Sequence, residues 1–367
     1  MAPGHALSRT GLPRRRVLGA LLLGIGLPAL GSSGPAPAGA IVRRERRALF
    51  GSWAEIVVAQ PDAGPLDRGA RDIDRALAAA WARLARFVRG GNAWKPGALQ
   101  RINAAIRAGR SIDLPEDLAG LIDRARRLED ATDGACNIAL GAAVAVWGFH
   151  ADRLHDGAPA PSPEHLRRLA DAPPSTRSLR LSGGRLASVD TRVRLDLGAV
   201  GKGHAADLAL DVLRAAGVTA ALVNLGGNLA AMGTPGGRPW QIGIRHPQPE
   251  AGLVATLALD EAADGREAVI TSAQTERHRR LADGRTVGHV LDARTLQPVA
   301  SQAAVTVVDA DATRADALAT ALLAADPAEP WAALTTRLGV AQALRVHPDG
   351  RTEATPGLAR RLGLVRA

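Results

Sequence analysis

Arg192-Val193-Arg194-Leu195-Asp196-Leu197-Gly198-Ala199-Val200-Gly201-Lys202-Gly203-His204 reads as a short strand (Arg192 to Leu195), a glycine-rich turn and the start of a helix that runs on to Ala216. An apolar strand from Thr219 to Val223 follows and ends at Asn224-Leu225-Gly226-Gly227-Asn228. Downstream the pattern is mostly strands: Trp240 to Arg245, Leu253 to Leu259, Ala268 to Ser272, Val287 to Leu291 and Ala303 to Val308. A helix is predicted over Ala312 to Ala324, and a last helix and hairpin close the chain. Upstream, Ser52 to Ala59 is a strand. Asp67 to Arg89 is amphipathic, with Ile73, Leu77, Ala80, Trp81 and Leu84 on one face. Pro115 to Asp130, Ala139 to Val146 and Pro163 to Asp171 are further helices, and Gly183-Gly184 turns a hairpin. Strands and helices are mixed without strict alternation. The fold class is therefore α+β: a largely antiparallel β-sheet core with flanking helices.

The first 40 residues read as a targeting leader, residues 1–40, ahead of one working unit, residues 41–367. Arg14-Arg15-Arg16 precede an apolar run from Val17 to Leu30, too short to span a bilayer comfortably. Ala38-Gly39-Ala40 supply a small-residue cleavage site. The tandem arginines favour twin-arginine export over an ordinary secretory signal, which predicts a periplasmic protein. No other apolar run reaches membrane length, so the mature chain has no transmembrane segment. The net charge of +10 includes four arginines of the leader, Arg9, Arg14, Arg15 and Arg16. The remaining basic residues are interspersed with acids, and aromatics make up 2% of the chain, with no tyrosine. Neither a basic stripe nor a base-stacking platform is present, so nucleic acid is not a partner. The single cysteine, Cys136, sits among apolar neighbours and reads as a small buried hydrophobe.

Lys202 stands out against this background. Of 46 basic residues only Lys95 and Lys202 are lysine. A lysine kept inside a glycine-rich turn points to a site that needs a compact point charge, as phosphate oxygens do; drift from a surface arginine is the plainer alternative. Strand, turn and helix also form the geometry that holds an anion at a helix N-terminus, with Gly198, Gly201 and Gly203 letting a ligand approach the backbone. The spacing is neither a Walker loop nor a dinucleotide fingerprint. The Gly226-Gly227 pair admits a flat ligand or simply turns a hairpin. Asp316 and Thr320 lie four apart on one helix face, and a carboxylate with a hydroxyl suits magnesium. A solvated helix face is the alternative, although the small neighbours argue for close packing. His289, at a strand end, is placed to act as a general base or is an ordinary strand histidine.

These pieces, in this order, resemble the ApbE family of flavin transferases. The resemblance runs through Thr132-Asp133-Gly134-Ala135, Trp147-Gly148-Phe149, Asp196 to Gly203, Asn224 to Asn228, Trp240 to Ile244, Thr271-Ser272, His289 to Asp292 and Ala315 to Thr320. It implies an ApbE-like, T-fold-like architecture and an FAD:protein FMN transferase. By resemblance, Phe50, Trp147, Gly148 and Phe149 line FAD, while Asp196 and Lys202 contact it from the turn. Ala199 offers its carbonyl to Mg²⁺, Asp316 and Thr320 are the side-chain metal ligands, and His289 is the base. FMN would move onto a serine or threonine hydroxyl of an acceptor flavoprotein carrying a flavinylation motif, releasing AMP. A non-transferring FAD-binding protein, or a magnesium-dependent FAD pyrophosphatase, are the rival readings. The chain departs from the family pattern at Ala273-Gln274-Thr275, where Gly-Asp-Tyr is usual. It departs again at Ala293 and Leu296, where Pro and Gly stand in Asp-Pro-Arg-Thr-Gly. A flavin-stacking tyrosine is impossible here, and Phe87 or Trp94 would replace it.

Overall fold

The computed structural model describes residues 40–61, 66–259 and 265–364. The leader expected over residues 1–40 lies outside these residues, apart from Ala40. The centre is one eight-stranded sheet. Its strands are β1 (Ala40–Leu49), β2 (Ser52–Pro61), β3 (Ala221–Leu225), β4 (Asn228–Met232), β5 (Arg266–Ala273), β6 (Ala304–Asp309), β7 (Ala343–Val346) and β8 (Thr352–Ala354). They lie in that order across the sheet, and every neighbouring pair is antiparallel.

Both faces of the sheet are covered, so its central strands are apolar throughout rather than alternating with polar residues. Ile56, Val58, Val223, Ile270, Val305 and Val307 face a helical layer. That layer comprises α1 (Leu66–Gly91), α2 (Ala98–Arg107), α3 (Glu116–Ala131), α6 (Gly201–Ala215), α7 (Ala312–Ala324) and α8 (Trp331–Arg337), while α4 (Gly141–Val146) and α5 (Pro163–Ala170) pack in a separate cluster. The innermost members of the layer are α1, α6 and α7. The alternate residues Val57, Leu222, Val269, Val308 and Leu344 face the other way, against a three-stranded sheet built from Leu362–Leu364, Leu253–Leu259 and Trp240–Arg245. The period-2 alternation of strand side chains divides one run of valines and isoleucines between two cores. Each fully buried side chain of this size contributes about 1.5–3 kcal/mol. A third cluster, around Trp147, Phe149, Leu281 and Leu296, closes the end where the loops gather.

Three local expectations are corrected. Arg192 to Leu195 is not a sheet strand. It makes a single parallel bridge between Leu140 and Arg194, and the Asn103 side chain satisfies both the N–H and the C=O of Leu195, at 2.7 and 2.9 Å. Helix α6 begins at Gly201, so Lys202 stands in its first turn. Strand Thr286–Gly288 stops short of His289, which lies in the loop beyond. Cys136 is buried, as its neighbours suggest, and burial pushes its thiol pKa up.

Candidate active site

The site grows from the junction of α6 and α7. A Cβ on Gly203 would lie 2.1 Å from the Ala312 carbonyl oxygen and 2.9 Å from Asp316 Cβ. Glycine at 203 therefore serves the close approach of two helices, not the approach of a ligand. Asp207 of α6 fixes the same junction, accepting the N–H groups of Ala312 and Thr313 at 3.1 and 2.9 Å. These are two of the orphan donors of the start of α7. In return Asp316 of α7 accepts the Gly203 N–H at 2.9 Å. The anion at the N-terminus of α6 is thus an internal carboxylate.

Asp316 is 3% exposed. Burial pushes its pKa up to about 7, although the Lys202 charge and the α6 amides pull the other way. This is a carboxylate short of positive charge. Thr320 lies one turn further along, its hydroxyl 3.4 Å from Ser272 Oγ. Lys202 Nζ reaches Glu276 Oε2 at 3.3 Å. Burial works against the ammonium, but Glu276 and Asp316 together outweigh it and hold its pKa above the usual lysine value.

His289 faces this cation. Burial, then the Lys202 charge, drives its pKa down to about 4, so the ring is neutral near pH 7. Nδ1 lies 3.2 Å from the Arg277 carbonyl. The hydrogen therefore sits on Nδ1, and Nε2 carries the lone pair. The buried Gln274 amide holds the adjoining backbone: its Oε1 accepts from Val290 N, and its Nε2 donates to Val290 O and Val299 O, at 3.0, 2.9 and 2.8 Å. On the opposite wall, burial pushes the Asp196 carboxyl up. The 2.6 Å contact from His150 Nε2 and the Gly198 N–H outweigh it, leaving the pKa below the usual aspartate value.

Eight of the ten residues picked out from sequence line one cavity of about 240 Å³: Phe50, Phe149, Asp196, Ala199, Lys202, His289, Asp316 and Thr320. Thr271, Ser272, Glu276, Arg277 and Asn228 join them. Asn224-Leu225-Gly226-Gly227-Asn228 is a two-residue hairpin turn, yet it delivers Asn228 to the cavity wall with a buried, unpartnered Oδ1. A second compartment of about 730 Å³ shares Phe50, Trp94, Asp196, Gly198, Lys202 and Arg277 with the first. Phe50 takes φ +55° beside Gly51 at +69° in the β1–β2 turn. An L-residue in that region is strained. The strain holds an aromatic ring at the cavity mouth.

The ApbE family pattern matches residues 50–344. The chain belongs to the ApbE family. Curated relatives include the FAD:protein FMN transferase of Rhodobacter capsulatus, 36% identical over 324 residues. That alignment covers 86% of this chain and 58% of the relative, so the chain spans less than two thirds of that protein's length. The FAD:protein FMN transferase of Treponema pallidum (strain Nichols) is 31% identical over 288 residues, covering 74% of this chain and 76% of the relative. The apo flavinyl transferase ApbE of Pseudomonas stutzeri superposes with a TM-score of 0.74 at 28% identity, over 89% of this chain and 98% of that one. The ApbE protein of Thermotoga maritima, at 23% identity, shares the fold with a TM-score of 0.76.

Against the ApbE pattern, two residues fall outside the cavity. Trp147 is 3% exposed, and its indole N–H donates to the Leu296 carbonyl at 2.8 Å. Gly148, at φ +79°, leaves room for Arg279, whose Nη1 would sit 2.1 Å from an added Cβ. Both support Phe149 from behind, because that stretch is tied into the third cluster. Leu296 stands where the pattern has glycine and takes φ +55°; its side chain is 1% exposed. Of the candidates for the missing tyrosine, Phe87 is buried and meets His204 edge-on. Trp94 lines both compartments and stacks on His150, with ring centres 5.4 Å apart. Glu276 and Arg277 escaped sequence reasoning, and Gln274 was read only as a departure from the family pattern. Their chemistry depends on partners far away in the chain.

Proposed function

We propose that the protein is a magnesium-dependent FAD:protein FMN transferase that moves FMN from FAD onto a serine or threonine hydroxyl of an acceptor flavoprotein. The observation that carries the reading is the meeting, in one cavity, of the Lys202 ammonium, the charge-deficient Asp316 carboxylate and the neutral His289 ring. FAD exceeds the smaller compartment, and the joined space is of the size that buries a large ligand. The relatives' shared name supports flavin chemistry.

In the reaction proposed, the acceptor hydroxyl oxygen bonds to the FMN-side phosphorus. The bond from that phosphorus to the bridging oxygen breaks, and AMP departs with the bridging oxygen. The hydroxyl proton goes to His289 Nε2. A bound diphosphate offsets the Lys202 charge and lifts the imidazole toward the range of a working base. Lys202 neutralises charge on the transferring oxygens. Phe50, Phe149 and Trp94 supply apolar and aromatic surface for the ring system, and Asp196 and Asn228 supply polar contacts.

Asp316, Thr320 and the Ala199 carbonyl are the groups that would hold magnesium. Hard oxygen donors suit it, and a buried carboxylate with a pKa near 7 fits a cation neighbour. No group of three His, Cys, Asp or Glu among the described residues forms a metal cluster, so the diphosphate and water would complete the shell. When bound, the ion supplies Lewis-acid polarisation of the diphosphate. The working unit is residues 41–367, released in the periplasm when residues 1–40 are removed after export by the twin-arginine route.

Purified protein, FAD, Mg²⁺ and a candidate acceptor domain form the test. Covalent in-gel flavin fluorescence with stoichiometric AMP is the expected result. AMP and free FMN without labelling would convert the reading to a pyrophosphatase. Tight FAD binding with neither product would leave a flavin carrier.

A further inference from the structure

A second, strongly basic groove lies behind the Asp196 wall. It has a volume of about 670 Å³ and is lined by Arg101, Arg107, Arg192 and Arg194, with no acidic residue on its surface. Helix α2 turns Leu99, Ile102 and Ile106 to the core and presents Gln100, Asn103 and Arg107 to the groove. Arg192 is held by Asp190, at 3.0 and 2.8 Å. The guanidinium groups of Arg101, Arg107 and Arg194 have no hydrogen-bond or ion-pair partner among the described residues. Elsewhere most arginines in this fold are paired: Arg83, Arg86, Arg124, Arg177, Arg294, Arg337 and Arg345 all have carboxylate partners. Like charges gathered in a concave surface repel one another and raise the local potential, and a multivalent anion relieves that. The planar fork of guanidinium matches phosphate oxygens two at a time.

We propose that this groove is an anion site for a ligand bearing two or more phosphate-type charges, separate from the Lys202 cavity. The two are joined through the chain. Asn103 lines the groove and holds Leu195, the residue before Asp196. The Arg194 carbonyl accepts the Gly141 N–H at 2.7 Å. The segment from Val193 to Asp196 is thus groove floor at one end and cavity wall at the other. An anion drawn to Arg194 acts on the wall that carries Asp196.

Inorganic pyrophosphate titrated calorimetrically into the full chain is the first probe. The Lys202→Ala variant removes the cavity's ammonium while Arg277 remains on its wall, so a retained, salt-sensitive binding event that depends on the groove arginines is expected in that variant. Adding Arg101→Ala and Arg107→Ala, both at exposed positions, should weaken that event at least tenfold. Circular dichroism melts of the triple variant establish that the fold survives. The second arm mixes the protein with phosphatidylglycerol or phosphatidylcholine vesicles. Arginine-dependent flotation with the anionic vesicles alone, without pyrophosphate binding, would assign the phosphate groups to a lipid headgroup. Binding of neither probe, or binding untouched by loss of both arginines, overturns the proposal. None of these measurements involves FAD, so they stand apart from the transferase reading.

Discussion

Lys202 and Asp316 set the chemistry one residue at a time. A guanidinium at 202 keeps the charge but is wider and needs a fork of acceptors. Lys202→Arg should therefore lower turnover at least tenfold while leaving the melting temperature near wild type. Wild-type rates would return Lys202 to the status of a drifted surface cation. Asp316→Asn keeps an acceptor for the Gly203 N–H and removes a buried charge. It should stabilise the metal-free protein by on the order of 1 kcal/mol at pH 8 and abolish magnesium-dependent turnover. A variant that is both less stable and still metal-dependent would contradict that assignment. Gln274 acts through its neighbours. Gln274→Ala leaves the Val290 N–H and the Val299 carbonyl without their side-chain partner, while the Val290 carbonyl keeps the Val299 N–H, which costs roughly 1–3 kcal/mol. Turnover should fall with a shifted pH profile, because His289 loses its support. Unchanged stability by urea titration would remove Gln274 from this role.

At the level of elements, the α6–α7 junction is the part most exposed to a single methyl group. Gly203→Ala forces the Ala312 carbonyl away and disturbs the Asp316 acceptor position. Overpacking of this kind costs roughly 1–3 kcal/mol, and thermal melts of the metal-free protein measure it. Helix α7 was legible to the residue, because its alanine-rich run from Ala312 is capped by Asp311, whose side chain accepts the Arg314 N–H. The amphipathic α1 was legible to within two residues, but the Gly226-Gly227 turn stood open between a hairpin and a ligand approach, and strand β4 beyond it was not predicted. Strand β1 was not predicted, because the charges of Val42-Arg43-Arg44-Glu45-Arg46-Arg47 hide any apolar alternation. In the fold it is an edge strand, where such charges guard against further pairing, and Arg44 and Arg46 satisfy the buried Glu55 across the ladder. The apparent strand before Asp196 failed for the opposite reason. Its pattern was right, but it pairs only briefly with residues 138–141 on one side, and on the other the Asn103 side chain takes the place of a neighbouring strand. Motif order located most of the cavity. The pairings Lys202–Glu276 and His150–Asp196 join residues 74 and 46 apart, and no local pattern encodes them.

Across the whole molecule, an antiparallel sheet buried on both faces holds the loops that carry the site, so stability and activity respond differently to pH. His204, in the first turn of α6, meets Phe87 of α1 edge-on, and neither ring nitrogen has a partner. Burial first, then the charges of Arg124 and Arg83, lower its pKa from 6.5 to about 4. The folded value lies below the unfolded one, so the unfolded chain takes up the proton first as pH falls. The contribution is complete above pH 6.5 and is lost progressively toward pH 4. Replacing the ring, as in His204→Leu, should flatten the dependence of unfolding free energy on pH across that window; an unchanged slope in denaturant titrations would show that the ring does not couple to folding.

The claim on which the rest depends is that Asp316 and Lys202 grip one diphosphate together with a cation. Flavin fluorescence quenching reports FAD affinity with and without Mg²⁺, in wild type and in Asp316→Ala. Tighter binding with Mg²⁺ in wild type, and no such gain in the variant, is the result predicted here. An equal response to Mg²⁺ in both proteins, or none in either, would contradict it.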